Sequence, residues 1–254
     1  MNEREAIELV SRKLGLTPDM IPFLSELALD MTIINPTLPA TAKRLGRIMD
    51  LRPGKKVLDL GCGKAGLSLP WVHIYQVKLT GVDAMPDFIR EAWARAEHAG
   101  LIEFCDFHLD DAARFVATTK KQWDAVIIAG NLPHIWSDED AGLKAARGLI
   151  PVGGYMVIGL PYLRPDGEQD QAEPQRTKDE ITAWLEKHGK VVDILDDGEE
   201  GWRAYVEPMK RAISRLKSDQ PGRQSLADFL DTWGERMDWE SRNLGFALWV
   251  VRVE

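Results

Sequence analysis

Three glycines and an aspartate near the first strand-like run have the spacing of a nucleoside-binding loop. In "VLDLGCGKAG", residues 57–66, Gly61, Gly63 and Gly66 follow the G-x-G-x-x-G pattern. Glycine lets backbone amides approach a ligand closely, because no Cβ intervenes. Asp83 closes the next apolar run, "LTGVD", where a carboxylate can accept hydrogen bonds from ribose hydroxyls. This spacing fits nicotinamide dinucleotides and S-adenosylmethionine alike.

Asp59 distinguishes these two ligands by charge. It lies two residues before Gly61, at the mouth of the loop, where a dinucleotide would place its pyrophosphate. A carboxylate repels phosphate there, whereas S-adenosylmethionine has no phosphate and carries an ammonium and a sulfonium that favour nearby negative charge. The sequence therefore favours the methyl donor over the dinucleotide.

Two further residues are candidates for catalysis on a methyl acceptor. His134, in "GNLPHIW", follows the fourth strand-like run, and an imidazole can change protonation near neutral pH. A histidine in this loop could instead cap the next helix or orient substrate. Tyr162, in "GLPYL", could hydrogen-bond an acceptor or serve packing alone. No acidic or histidine cluster has metal-ligand spacing, so we expect no metal.

Short apolar runs alternate with helical stretches from Lys55 onward. This alternation predicts a parallel sheet with helices on both faces. The expected strands span residues 56–60, 78–82, 102–109, 125–129, 155–160 and 190–195, with a last strand in "GFALWVVRVE".

The segments before this pattern and between its last two strands are predicted to be helical. Apolar residues recur at helical spacing through residues 7–14. Thr177 and Glu180 match a capping box that begins a helix before the sixth strand. Two more helices are expected in "GWRAYVEPMKRAISRLK" and "QSLADFLDTWGERMDW", and Pro208 should kink or divide the first.

An apolar and aromatic stripe runs along the first of these two helices. Its members recur at three- and four-residue steps: Trp202, Tyr205, Met209, Ile213 and Leu216. Core packing explains such a stripe without any ligand. Alternatively, the stripe forms a lid, and Trp233 and Trp239 on the next helix complete an aromatic wall.

Residues 35–165 resemble the core of class I S-adenosylmethionine-dependent methyltransferases. The similar motifs, in order, are "KKVLDLGCGKAG", "LTGVDAMPDFIREA", "FHLDDAARF", "WDAVIIAGNLPHIW" and "LIPVGGYMVIGLPY". Together with the helical segments, the resemblance implies an α/β fold with a Rossmann-like, doubly wound, seven-stranded sheet. Its last strand would be antiparallel, with helices at the N-terminus and a helical insertion between the last two strands.

The resemblance also implies which residues hold the methionine end of the donor. Asp59, Gly61 and Gly63 would bind it from the first motif. Gly130 and Asn131, at the end of the fourth strand, would border the methionine moiety and the transferred methyl group.

By the same resemblance, residues of the second and third motifs would bind the nucleoside end of the donor. Asp83 would bind the ribose, and Ala84 and Met85 would pack on adenine. Asp111 in "DDAA" matches the carboxylate that accepts from the adenine amino group, with Ala112 beside it.

Composition and charge exclude several other classes of protein. The chain has 254 residues, a formal charge of −8 and two distant cysteines. This balance disfavours a nucleic-acid groove, and the cysteines indicate neither a disulfide framework nor a zinc site. No apolar run is long enough to cross a bilayer, so we expect no membrane association and a cytoplasmic location. The sequence carries no signal for oligomeric state.

We therefore expect one methyltransferase domain that transfers a methyl group to a small-molecule acceptor by in-line displacement. Its parts would be an N-terminal helical cap, an S-adenosylmethionine-binding core, a helical lid insertion and a final strand, at residues 1–54, 55–195, 196–241 and 242–254. The alternatives are a methyltransferase acting on protein or RNA, an NAD-dependent oxidoreductase, and a non-catalytic S-adenosylmethionine-binding protein.

Overall fold

The sheet has seven strands in the order β3-β2-β1-β4-β5-β7-β6, and β7 runs antiparallel to both neighbours. The computed structural model describes all 254 residues. The strands are β1 (Lys56–Leu60), β2 (Lys78–Asp83), β3 (Cys105–Leu109), β4 (Ala125–Ala129), β5 (Tyr155–Leu163), β6 (Lys190–Asp196) and β7 (Leu244–Arg252). The predicted Rossmann-like sheet with an antiparallel last strand is confirmed.

Helices flank this sheet and extend it at the N-terminus and before β7. They are α1 (Glu3–Leu14), α2 (Ile21–Leu27), α3 (Pro39–Ile48), α4 (Leu69–Tyr75), α5 (Pro86–His98), α6 (Ala112–Thr118), α7 (Leu132–Ile135), α8 (Glu139–Arg147), α9 (Lys178–Leu185), α10 (Gly198–Asp219) and α11 (Gln224–Asn243). None of them combines the length and the apolar character that a membrane-spanning helix needs.

Both faces of the sheet are buried. Val57 and Leu79 belong to a core cluster of 39 buried residues, whereas Leu58 and Leu60 belong to a second cluster of 22. Successive strand side chains point to opposite faces, so a strand covered on both sides is apolar along its whole length. The parallel register of β1 with β2 and β4 places their carboxyl ends side by side.

Local signals set several helix ends. Asn2 and Glu5 form a capping box at the start of α1, and Gly15 ends that helix with a φ of 66°. The predicted capping box of Thr177 and Glu180 begins α9.

Two strand boundaries differ by three residues from those predicted. Residues 102–104 form a 3-10 turn, in which Ile102 is 46% exposed, so β3 begins only at Cys105. β5 continues three residues past the expected end, because β7 pairs with it as far as Leu163. Beyond Gly159 the strand has no β4 partner, so Pro161 lies where one side of β5 is open.

Pro208 does not divide α10. The helix is continuous over 22 residues with this proline inside it. Proline removes one backbone hydrogen bond, but Trp202, Met209 and Leu216 are buried on both sides of it and hold the helix against the core.

Candidate functional site

The β1–α4 turn and the end of β2 form one hydrogen-bonded unit. The amide of Gly61 donates to the carbonyl of Val82 at 2.7 Å. Asp83 accepts from the amide of Gly63 through one carboxylate oxygen and from that of Met85 through the other, both at 2.8 Å. Gly61 and Gly63 have φ values of 71° and 53°, a region that favours glycine. Two predicted donor-binding segments are thus brought together.

Neighbouring protein atoms also require glycine in this turn. A Cβ at Gly61 would lie 1.2 Å from Nδ2 of Asn131, and one at Gly66 would lie 1.8 Å from the carbonyl oxygen of Thr32. Asn131 follows β4, and Thr32 belongs to the segment between α2 and α3. The third glycine of the motif therefore accommodates the N-terminal segment.

Beside the turn lies a small pocket with a surplus of hydrogen-bond acceptors. Asp59 is 3% exposed and lines this pocket with Asn35, and its Oδ2 has no hydrogen-bond partner. The Oδ1 atom of Asn35 is likewise buried and unpartnered, as is that of Asn131, which lines the adjoining larger cavity. Their amide nitrogens each donate to a backbone carbonyl at 3.3 Å. Unpaired buried acceptors are costly. They indicate a ligand that brings N–H donors.

The electrostatics of the turn favour a cation. Burial raises the pKa of Asp59 from the usual 3.8 to about 7; the nearby Ser68 hydroxyl acts to lower this pKa, and the neighbouring Asp83 acts to raise it. Burial also raises the pKa of Asp83. A positive group beside them would stabilise both carboxylates, whereas a pyrophosphate would meet two like charges. Lys64, in the same loop, is already paired with Glu91 at 2.8 Å.

A larger cavity of about 290 Å³ opens beside the turn, and 15 of its 23 lining residues are apolar. Most of the predicted site residues line it: Gly61, Gly63, Asp83, Ala84, Met85, Asp111, Ala112, Gly130, Asn131 and His134. Asp59 lies in the small pocket, which shares Gly61 and Gly63 with the cavity. The structure therefore gathers four motifs around one space.

Tyr162 is not brought to this cavity. It lies within β5 rather than beyond it, and its hydroxyl donates to Oδ2 of Asp196 at 2.6 Å. The Nζ of Lys178 lies 4.9 Å from the centre of its ring. These contacts tie β5 to β6 and α9, and they leave the prediction of an acceptor contact without geometric support.

Asp111 begins α6 and faces the cavity with one oxygen engaged. Its Oδ1 accepts from the amide of Ala113 at 3.1 Å and lies 2.9 Å from Nζ of Lys13 on α1. Both contacts use the same oxygen, so Oδ2 is available to a ligand donor such as an adenine amino group. The adjacent Asp110 is instead held by Arg114, whose Nε donates to it at 2.8 Å.

His134 lies in α7 and presents its imidazole to the cavity. Burial lowers its pKa below the usual 6.5, with Lys13 acting in the same direction and Glu173 and Glu240 opposing it. The imidazole is therefore neutral at pH 7 and able to accept a proton.

Four helices, α1, α2, α10 and α11, cover the cavity, and we call them the roof. Their lining residues are Val10, Lys13, Leu14, Leu24, Leu27, Tyr205, Met209 and Trp233. Two members of the stripe on α10, Tyr205 and Met209, line the cavity, and Met209 is also buried in the core. Trp239 packs against the core and does not line the cavity.

Sequence reasoning missed two polar residues of this site. Asn35 follows α2, and Lys13 lies on α1, outside every motif. The only local signal for Asn35 is a polar residue between apolar neighbours in "IINPT". Lys13 reaches Asp111 across 98 residues of sequence.

Comparison with known proteins places this arrangement among methyltransferases. The family model described as "Methyltransferase domain" matches residues 57–154. The uncharacterized protein YjhP of Escherichia coli is 31% identical over 183 residues, which cover 68% of this chain and 73% of YjhP. The 27-O-demethylrifamycin SV methyltransferase of Amycolatopsis mediterranei is 24% identical over 222 residues, which cover 82% of this chain and 81% of that protein.

A solved structure shares the fold over nearly the whole chain. It is the SAM-dependent methyltransferase from Geobacter sulfurreducens in complex with S-adenosyl-L-homocysteine, with a TM-score of 0.81 and 20% identity. The match covers 92% of this chain and 98% of that one.

Proposed function

Because the chain belongs to the class I S-adenosylmethionine-dependent methyltransferases, we propose that it methylates a small-molecule acceptor by in-line displacement. The observation that carries this proposal is the roof. Side chains from α1, α2, α10 and α11 cover the cavity that the glycine-containing β1–α4 turn borders, so an acceptor must be small enough to lie beneath them. A protein or RNA substrate would need an open face at this position.

The donor's methionine end is proposed to lie at the small pocket. Its ammonium would donate to the unpartnered oxygens of Asp59, Asn35 and Asn131, which are three acceptors for three N–H groups. Asp83 retains lone pairs for the ribose hydroxyls after binding two amides, and Oδ2 of Asp111 would accept from adenine.

When bound, S-adenosylmethionine supplies a methyl group on a sulfonium, which is an activated leaving group. The protein's contribution is then to align the acceptor behind that methyl group and to exclude water. His134, which lines the cavity near Gly130 and Asn131, is proposed as the base that removes the acceptor's proton.

Incubation with methyl-labelled S-adenosylmethionine tests the class of acceptor. Three substrate pools would be offered separately: small molecules that pass a filter, purified protein and transfer RNA. We expect label only in the small-molecule pool, with equivalent formation of S-adenosylhomocysteine. Label confined to protein or RNA would overturn the proposal. A donor with a chiral methyl group tests the in-line geometry, which requires inversion at that carbon.

Calorimetric titration separates the donor from a dinucleotide. We expect S-adenosylmethionine to bind and NAD to show no heat at the same concentration. Asp59→Asn should weaken donor binding, because it removes the negative charge beside the ammonium. The reverse preference, for NAD, would contradict the assignment of the pocket.

A further inference from the structure

Every charged side chain that faces the cavity belongs to the part that the donor is proposed to fill. Among its lining residues these are Lys13, Asp83 and Asp111. Lys13 and Asp111 form an ion pair at 2.9 Å, and Lys13 also donates to the carbonyl of Ile135 at 3.3 Å. Asp83 accepts from two backbone amides at 2.8 Å. Apart from these three residues, the lining that is left to an acceptor carries no permanently charged side chain.

Two further titratable groups line the cavity, and both are neutral near pH 7. His134 has its pKa lowered by burial and by Lys13 on α1, against the opposing effects of Glu173 in the loop after β5 and Glu240 on α11. Burial, followed by the effect of Glu240, raises the pKa of Tyr205 above its usual value. They offer a proton acceptor and a phenol without adding charge.

The roof side of the cavity is apolar in its details as well. Leu24 and Leu27 of α2 face it together with Met209 of α10 and Trp233 of α11. The indole N–H of Trp233 donates to the sulfur of Met209 at 3.1 Å, so it is not available to a ligand. A phosphate, carboxylate or ammonium placed against this wall would lose its hydration and gain no partner.

From this arrangement we infer that the acceptor enters as an uncharged, largely apolar molecule and presents a hydroxyl group to the donor. The inference rests on the proposed function and adds the chemical class of the acceptor. Near neutral pH an alkyl amine carries a positive charge and a carboxylate or phosphate a negative one, whereas a hydroxyl is neutral. Of these groups, only the hydroxyl is uncharged and so matches the acceptor side of the cavity.

The reaction balances with groups that the cavity holds. The acceptor oxygen forms a bond to the methyl carbon while the carbon–sulfur bond breaks, and the sulfur keeps the electron pair. The hydroxyl proton passes to the neutral imidazole of His134 and then to solvent. The products are an uncharged methyl ether and S-adenosylhomocysteine.

Three phenols that differ only in the charge of the tail test this inference. They are 4-ethylphenol, tyramine and 4-hydroxyphenylacetate, with a neutral, a cationic and an anionic tail. Each would be titrated into the full-length protein saturated with S-adenosylhomocysteine, and then assayed for methyl transfer with S-adenosylmethionine. We expect 4-ethylphenol to bind about tenfold or more tightly than either charged phenol, which is about 1.4 kcal/mol. Equal or tighter binding of a charged phenol overturns the inference, as does absence of 4-ethylphenol binding at millimolar concentration.

A pair of variants at Met209 checks that the wall itself sets this preference. Met209→Glu should shift binding toward tyramine. The size-matched Met209→Leu frees the neutral indole N–H of Trp233 but adds no charge, so it should keep the preference for 4-ethylphenol. If both variants keep the wild-type preference, the wall does not set it and the inference fails.

The two proposals fail in different ways. Methylation of tyramine or 4-hydroxyphenylacetate in preference to 4-ethylphenol would overturn the inference and leave a small-molecule methyltransferase. Label that appears only in protein or RNA would overturn the proposed function itself.

Discussion

Replacing Asp59 with asparagine should stabilise the protein without donor and weaken donor binding at the same time. Burial raises the pKa of Asp59 from the usual 3.8 to about 7, so folding disfavours its charged form. Each tenfold change in a proton equilibrium is worth about 1.4 kcal/mol, so keeping this carboxylate ionised in the folded protein costs about 4 kcal/mol. Asparagine has nearly the same shape and no charge.

The sign and the pH window follow from that raised pKa. Below pH 3.8 the carboxyl is protonated in both folded and unfolded protein, and its contribution to stability is fully present. As the pH rises toward 7, the unfolded protein loses this proton first, and the contribution is lost. The free energy of unfolding of Asp59→Asn minus that of the wild type should therefore increase by about 2 to 3 kcal/mol between pH 5 and pH 7 and then level off.

Urea unfolding of the donor-free protein at pH 5, 6, 7 and 8 measures this difference. Any cost of burying the new amide is independent of pH, so it cancels from the slope. Asp219→Asn is a matched control, because it makes the same change at an exposed residue near the end of α10. A stability difference that does not change with pH would refute the reasoning, and so would donor affinity equal to that of the wild type.

Three further variants test other parts of the site. Lys64 is 2% exposed, donates to the carbonyls of the two residues after α2 at 2.9 and 3.2 Å, and pairs with Glu91. Lys64→Met should therefore lower the free energy of unfolding by about 2 to 3 kcal/mol. Urea unfolding checks this value, and a loss under 0.5 kcal/mol would show that the buried ammonium does not hold α2 to the loop. Asp83→Ala should weaken donor binding by about 1 to 3 kcal/mol, which calorimetry measures, and an unchanged dissociation constant would contradict the ribose assignment. His134→Gln should lower kcat while the donor dissociation constant stays the same. In the wild type at saturating donor, kcat should rise with pH through a midpoint below 6.5 and then level off, because burial lowers the pKa of His134. Unchanged turnover in that variant would remove His134 from catalysis.

The sequence predicts the sheet well because strand signals are local and periodic. Residues 56–60 and 125–129 are predicted as strands, and the structure has β1 and β4 at the same positions. The errors occur where pairing with a distant strand decides the boundary. β5 continues through Pro161 because β7 pairs with it, and this extension places Tyr162 inside the strand beside Asp196 instead of in a loop beside the cavity.

The proposed donor site likewise contains residues that the sequence reveals and residues that only the structure reveals. Gly61, Gly63 and Asp83 are recognisable because two adjacent strand ends supply them at fixed spacing. The negative charge of Asp59, which favours a cationic ligand, is also evident from the sequence alone. Asn35 carries no comparable signal, since its meaning depends on an amide oxygen left unpartnered beside a turn that comes later in the chain.

By itself, the sequence determined the fold class and the kind of donor, because alternating apolar runs, turn glycines and carboxylates act over a few residues. Only the tertiary structure decided the character of the cavity. Helices from both ends of the chain meet over the sheet, Lys13 pairs with Asp111, and Trp233 donates to Met209. Whether a charge or an N–H group is free to meet a ligand depends on such distant partners, and no local pattern records them.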